Sequence, residues 1–134
     1  MQVMSKQVTF DMAGYYLAFG DGTRLRLLNL MGDRELCVCY FVEVLGEPQP
    51  KISRHLAFLR KAGVVVARRE GTWMRYRIVV PKHAGAARIL KETLAWMRED
   101  PRMQADKARL ANACCSPGQY AALEGAPAPA WIAV

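Results

Sequence analysis

The sequence predicts a mainly α chain with one small β-hairpin, an α+β class, and three observations lead there. Apolar residues recur at helical spacing in several separate segments between Thr9 and Asn112. Two of those segments, Glu35–Leu45 and Pro50–Ala62, are joined only by a short turn with Gly46 and Pro48. Directly after them, a β-branched run at Val64-Val65-Val66 and an extended run at Trp73–Val80 flank the turn Arg68-Arg69-Glu70-Gly71.

The elements follow in order. Val8, Met12, Tyr15, Tyr16, Ala18 and Phe19 give a first helix from about Thr9 to Phe19, broken by Gly20-Asp21-Gly22. Asp21 or Thr23 can cap a second helix, Arg24–Met31, which Gly32-Asp33 ends. A third runs Glu35–Leu45 with Gly46 as its stop. Pro50 fits the first turn of a fourth, where its missing N–H costs nothing, and Gly63 closes it. In that helix Ile52, Leu56 and Leu59 form a buried stripe, and Arg54, Lys61 and, more obliquely, Lys51 point away from it. In the second strand Trp73, Arg75 and Arg77 share a basic face, opposite Met74, Tyr76 and Ile78. A fifth amphipathic helix fits His83–Met97, and a polar one runs from Asp100-Pro101 to about Asn112. From Cys114 on, Ala, Pro and Gly dominate without periodicity, which reads as a mobile tail. The expected division is therefore residues 1–99 as the working domain and 100–134 as a C-terminal helix and tail carrying Cys114 and Cys115.

A length of 134 residues suits one compact domain, or one with a tail, and is enough to bury a core without disulfides. The chain is 52% hydrophobic and 23% charged, unlike a disordered segment. No apolar stretch reaches the ~18 residues of a membrane span. Met1–Phe10 has no apolar core behind a basic flank, so no secretory signal is expected. A cytoplasmic location follows, where the four cysteines stay reduced and act as ligands, redox groups or buried apolar residues.

The net charge of +7 is concentrated. Pro48–Arg77 holds Lys51, Arg54, Arg60, Lys61, Arg68, Arg69, Arg75 and Arg77 against the single acid Glu70, which equals the whole chain's excess. A charge run by itself is most often a solvated face. Here it lies on a helix-turn-helix followed by a basic hairpin, the layout of a winged helix, whose reading helix enters the major groove while the wing follows the backbone. Gln49, Lys51, Ser53, Arg54 and His55 are placed to reach bases or phosphates, and Arg68, Arg69 and Arg75 suit phosphate contacts. His55 could equally be structural. One small module has little area for tight operator binding, and a dimer doubles it. The first and fifth helices are the spare apolar ones and are the expected homodimer interface, unless they only cover the monomer core.

Cys37-Val38-Cys39 and Cys114-Cys115 are the thiols. On a regular helix, residues two apart lie about 200° around the axis, so Cys37 and Cys39 would bind one ion only if the helix start loosened. Such a distortion would misplace the reading helix. Thiols at a helix start tend to be acidic, and two sulfurs favour a thiophilic ion over calcium or magnesium. The plainer reading of a lone C-x-C is core filling. His55 and His83 are too scattered for a histidine site. No nucleophile has a supporting His and acid, and no glycine loop cradles phosphate, so no enzyme and no catalytic cofactor are expected.

Glu35-Leu36-Cys37-Val38-Cys39, Gln49-Pro50-Lys51-Ile52-Ser53-Arg54-His55-Leu56 and Leu59-Arg60-Lys61-Ala62-Gly63 closely resemble the arsenical-resistance repressors of the ArsR/SmtB winged-helix family. Arg69-Glu70-Gly71 with Tyr76-Arg77 resembles that family's wing, and Asp21-Gly22-Thr23-Arg24-Leu25 its second-helix start. The likeness covers about Tyr16–Val80. It implies a homodimeric repressor on a palindromic operator of double-stranded DNA, released when As(III) or Sb(III) binds the thiolates of Cys37 and Cys39. Two departures matter. Val42 stands where a third Cys is often found, and Gly22 where Pro is usual. Three ligand sets stay open: Cys114 or Cys115 completing a three-sulfur site, a two-sulfur site suited to an organoarsenical such as methylarsenite, or a principal site at Cys114-Cys115. Zinc or cadmium sensing, a thiol redox repressor, and a small-molecule binder or enzyme on a borrowed fold are the other readings.

Overall fold

The computed structural model describes residues 10–132. The chain forms α1 (Met12–Phe19), α2 (Gly22–Met31), β1 (Arg34–Cys37), α3 (Val38–Leu45), α4 (Gln49–Lys61), β2 (Val65–Glu70), β3 (Trp73–Ile78), α5 (Ala84–Met97), α6 (Pro101–Cys115) and β4 (Ala130–Trp131). The sequence-expected start of the first helix, Thr9, lies outside the described residues. Asp11 caps α1 by accepting from the Gly14 amide at 3.0 Å, and Asp21 caps α2 by accepting from the Arg24 amide at 3.1 Å. Leu27, Leu28, Phe41, Ile52, Leu56 and Leu59, all fully buried, join α2, α3 and α4 in one core. The helix-turn-helix and the hairpin therefore stand where periodicity put them.

Three expectations change. Glu35–Cys37 is strand, not helix. Leu36 pairs with Tyr76 and Cys37 with Arg75 across an antiparallel ladder to β3. Partners some 40 residues away override the local helical pattern, because the ladder satisfies this segment's backbone groups. The hairpin turn lies at Gly71-Thr72, with Gly71 at φ +61°, so Arg68 and Arg69 belong to β2. The stretch expected as a mobile tail is folded: α6 continues through Cys115, two short 3₁₀ turns follow at Pro117–Gln119 and Ala121–Leu123, and β4 pairs with β1. The sheet order is β2-β3-β1-β4. β4 covers an edge of β1 that would otherwise present unpaired backbone groups, and Leu123, in the second 3₁₀ turn, is buried where that turn packs against α3. A two-residue strand has no periodicity for sequence to show.

Two ionic clusters brace this frame. Asp106 of α6, 0% exposed, takes Nε and Nη2 of Arg26 at 2.7 and 2.9 Å and a further donor from Arg109. It pins α6 to α2, aided by Asn29 donating to the Met103 carbonyl at 2.8 Å. At the wing, Glu35 of β1 receives Nη2 and Nε of Arg68 at 2.6 and 3.2 Å. Those hydrogen bonds hold the Glu35 carboxyl below the usual carboxylate range. The charges of Arg68, Arg75 and Arg77 add to the effect, while burial opposes it.

Replacing Asp106 with Ala should cost about 2–3 kcal/mol in urea denaturation, less than the ~3–5 of a fully buried pair because both arginines reach solvent; an unchanged midpoint would remove the brace. A carboxyl held low in the folded state stabilises fully above its unfolded value of about 4.3 and loses that contribution as pH falls through the folded value. The stability gap between the wild type and Glu35→Gln should thus be constant from neutral pH down to about 5 and shrink below about 4. Urea titrations at each pH measure it, and a gap that grows on acidification reverses the assignment.

Candidate thiol centre and nucleic-acid interface

The turn from β1 into α3 builds the thiol centre. Cys37 is the N-cap of α3, extended at φ −68° and ψ 145°, and Cys39 lies in the first helical turn. This break in the backbone, not an unwound helix, brings the sulfurs together: Cys39 Sγ donates to Cys37 Sγ at 2.8 Å. The expected conflict between the two side chains is thus absent, because only one of them is helical. Both are buried. The Cys39 thiol holds Cys37 down, to about 7; the Cys39 backbone amide and the charge of Arg75 help, and burial opposes. Cys39, donor in the pair and buried, is pushed up. One thiol of the pair is therefore the readier thiolate at neutral pH.

Cys39 opens onto a pocket of about 390 Å³ lined by Val38, Val42, Gln49, Trp73, Met74 and Ala122, together with Thr72. The pocket joins three elements: the start of α3, the first residue of α4 and the wing. Ala122 of the folded C-terminal segment lies on its rim. Val42, the position that resemblance marks for a third thiol, faces this space with a hydrocarbon side chain. Cys114 is half-buried at the end of α6, where Arg34 Nη1 approaches its sulfur at 3.4 Å, and Cys115 is exposed. Burial raises Cys114. Among the described residues no three His, Cys, Asp or Glu side chains converge to hold one ion. The two thiol pairs are separate. Tyr40, missed in the sequence, is buried between them; burial raises its hydroxyl first, then the charges of Cys114, Cys39 and Cys37.

The cationic residues divide in two. Gln49, Arg54, Arg60 and Lys61 on α4 and Arg69 on β2 are exposed, and among the described residues no carboxylate bridges these four cations. Ser53 is half-exposed on the same helix, and Lys51 pairs with Glu47 at 3.2 Å. The other three expected contact residues are engaged inside the protein. His55 Nδ1 sits 3.3 Å from Arg24 Nη1 and 3.7 Å from Asp21 Oδ2, tying α4 to the start of α2. Arg68 is spent on Glu35, although half of its side chain is exposed. Arg75 is only 6% exposed. Pairing with β1 brings Glu35 beside it, and the C-terminal segment meets its guanidinium through the Ala128 carbonyl.

Comparison with known proteins matches this architecture. A model of the bacterial regulatory protein, arsR family, fits residues 21–66. The arsenical resistance operon repressor of Escherichia coli K12 is 43% identical over 97 residues, 72% of this chain and 81% of that protein. An arsenic resistance transcriptional regulator of Pseudomonas putida is 47% identical over 64 residues, 47% of this chain and half of that one. Among solved structures, the homodimeric winged helix-turn-helix DNA-binding domain of a possible ArsR-family regulator from Mycobacterium bovis aligns with TM-score 0.54 at 28% identity, covering 73% of this chain and 94% of that one. Identity over most of the E. coli repressor's length, on a helix-turn-helix with its wing, establishes that this chain belongs to the arsR family of DNA-binding transcriptional repressors, which are not enzymes.

Proposed function

We propose that this repressor binds a palindromic operator as a homodimer and releases it when trivalent arsenic, or antimony, is captured by Cys37 and Cys39. The observation that carries the reading is the preformed buried sulfur pair, 2.8 Å apart, beside the first residue of the reading helix. In the capture step each thiol loses its proton and forms one sulfur–arsenic bond, two hydroxyls of arsenous acid leave as water, and no electrons are exchanged. Soft-ion bonds to sulfur of about 2.3 Å imply a sulfur–sulfur span of roughly 3–4 Å. The pair must therefore open by about an ångström. That opening presses on a space walled by Gln49 of α4 and by Thr72, Trp73 and Met74 of the wing. Release then follows from differential affinity: a tenfold loss of operator binding needs only about 1.4 kcal/mol of coupling.

Val42 and the separation of Cys114 favour a two-sulfur site, with the third position on arsenic left to hydroxide or a small organic group. Cys114 and Cys115 are then an auxiliary thiol pair. Gln49, Lys51, Ser53 and Arg54 read the groove and Arg69 contacts phosphate, while His55, Arg68 and Arg75 hold the reading elements in place. Residues 1–99 carry operator binding and dimerisation through α1 and α5, whose Met12, Tyr16, Leu17 and Trp96 are exposed. The site of action is the cytoplasm. The reading by thiol oxidation also has the short sulfur separation in its favour, and it differs in needing an oxidant.

The double variant Cys37→Ser, Cys39→Ser should bind operator within about twofold of wild type and ignore arsenite (coupling in this range is set by differential binding alone). Gel-shift titration in reducing buffer checks it, with peroxide in a parallel arm. A normal arsenite response in the variant, or release by peroxide alone, defeats the proposal. Arg69→Gln should weaken binding to all sequences alike and, with one Arg69 lost from each protomer, lower the magnitude of the salt slope by roughly 1.8; an unchanged slope takes Arg69 off the DNA.

A further inference from the structure

We propose that Arg75 is the positioning residue that carries thiol capture at Cys37 to the wing, an inference that rests on the arsenical reading above. Arg75 lies directly across from Cys37 in the ladder between β3 and β1. Its buried guanidinium touches three separate pieces of the chain. Nη1 donates to Glu70 Oε1 at the wing tip at 2.9 Å, and Nη2 donates to the Ala128 carbonyl of the C-terminal segment at 2.8 Å. Nε lies 3.2 Å from Glu35 Oε1 of β1, yet it is not aimed at that oxygen and has no hydrogen-bond acceptor.

A buried N–H left unmet costs free energy, and Glu35 Oε1 is near enough to relieve that cost after a small rearrangement. In the observed arrangement the fork of Arg75 supports Glu70 and the tip of the wing. A small shift of the β1 end would turn Nε onto Glu35 and loosen the grip on Glu70. Opening the sulfur pair moves that end, because Cys37 is both the last residue of β1 and the cap of α3. Arg68 bridges the same two carboxylates, at 2.6 Å to Glu35 and 3.5 Å to Glu70, so a change in one arginine is felt by both. The four side chains form a bistable joint between sensor strand and hairpin, the kind of element that both sites can bias.

The test uses the full chain with its own operator and arsenite. Arg75→Lys keeps the charge but not the fork. Glu70→Gln removes the wing-side anchor at an exposed position, so it decides the matter should the buried lysine variant not fold. Both should take up as much arsenic per chain as wild type, and each variant's operator affinity with arsenite is read against its own affinity without it. In both, the arsenite-induced loss of operator affinity should fall by at least about fivefold, the low end of ordinary coupling. If both variants that fold release operator as fully as wild type, the role of Arg75 is overturned while the arsenical reading stands. If wild type itself holds its operator in saturating arsenite, both are overturned together.

Discussion

The centre depends on one backbone event, the change from extended to helical at Cys37-Val38. β1 must be strand for Leu36 and Cys37 to pair with β3, and α3 must begin at once for Tyr40, Phe41 and Val44 to enter the core. A C-x-C sequence placed across that junction has its first sulfur on an extended residue and its second one turn-step into a helix. The same letters inside a helix would point apart, and inside a strand both would share a face but stand farther apart. Proximity of the thiols is therefore a property of the joint, held by the sheet on one side and the core on the other.

That joint also explains how the charge is used. Glu35 is buried at the wing root, where the buried Arg75 and the half-exposed Arg68 both meet it, and Arg69 is left to solvent. A buried carboxylate left without such partners would be strongly destabilising. The same economy operates at α6, where Asp106 holds Arg26 and Arg109. Of the cations between Pro48 and Arg77, Arg54, Arg60, Lys61 and Arg69 face solvent with no carboxylate partner among the described residues, while Arg68 and Arg75 are paired within the fold. A net charge of +7 thus overstates the number of positive groups presented to a polyanion.

Much of this was visible in the sequence, and the misses share a cause. Helical periodicity located α2, α4 and α5, and Asp21, Pro50 and Gly63 marked ends because caps and breakers act within a few residues. The strand at Glu35–Cys37, the burial of Arg75 and the pairing of β4 all depend on partners far along the chain. Alternation said which residues share a face of β3, but not that Glu35 of β1 and the Ala128 carbonyl would meet Arg75 on it. His55 shows the same limit: its spacing on α4 allowed either outcome, and Asp21 and Arg24 decide it from another helix. Cys37 and Cys39 could be named from sequence, but their closeness could not, since it required knowing where helix replaces strand.

The C-terminal segment changes what the thiol centre is. The Cys39 pocket is an open cleft between α3 and the wing, with Ala122 of the C-terminal segment on its rim, and Ala128 of the same segment accepts from Arg75. A third sulfur ligand would draw an arsenic atom toward α3 and satisfy it there. With Val42 in that position, the proposed two-sulfur site would leave the third substituent to the space lined by Trp73, Met74 and Val38. Under that reading its size and polarity would bear on the wing and on the first turn of α4. The proposed capture would then depend on the shape of a pocket that Gln49 of α4 and Thr72, Trp73 and Met74 of the wing help to form.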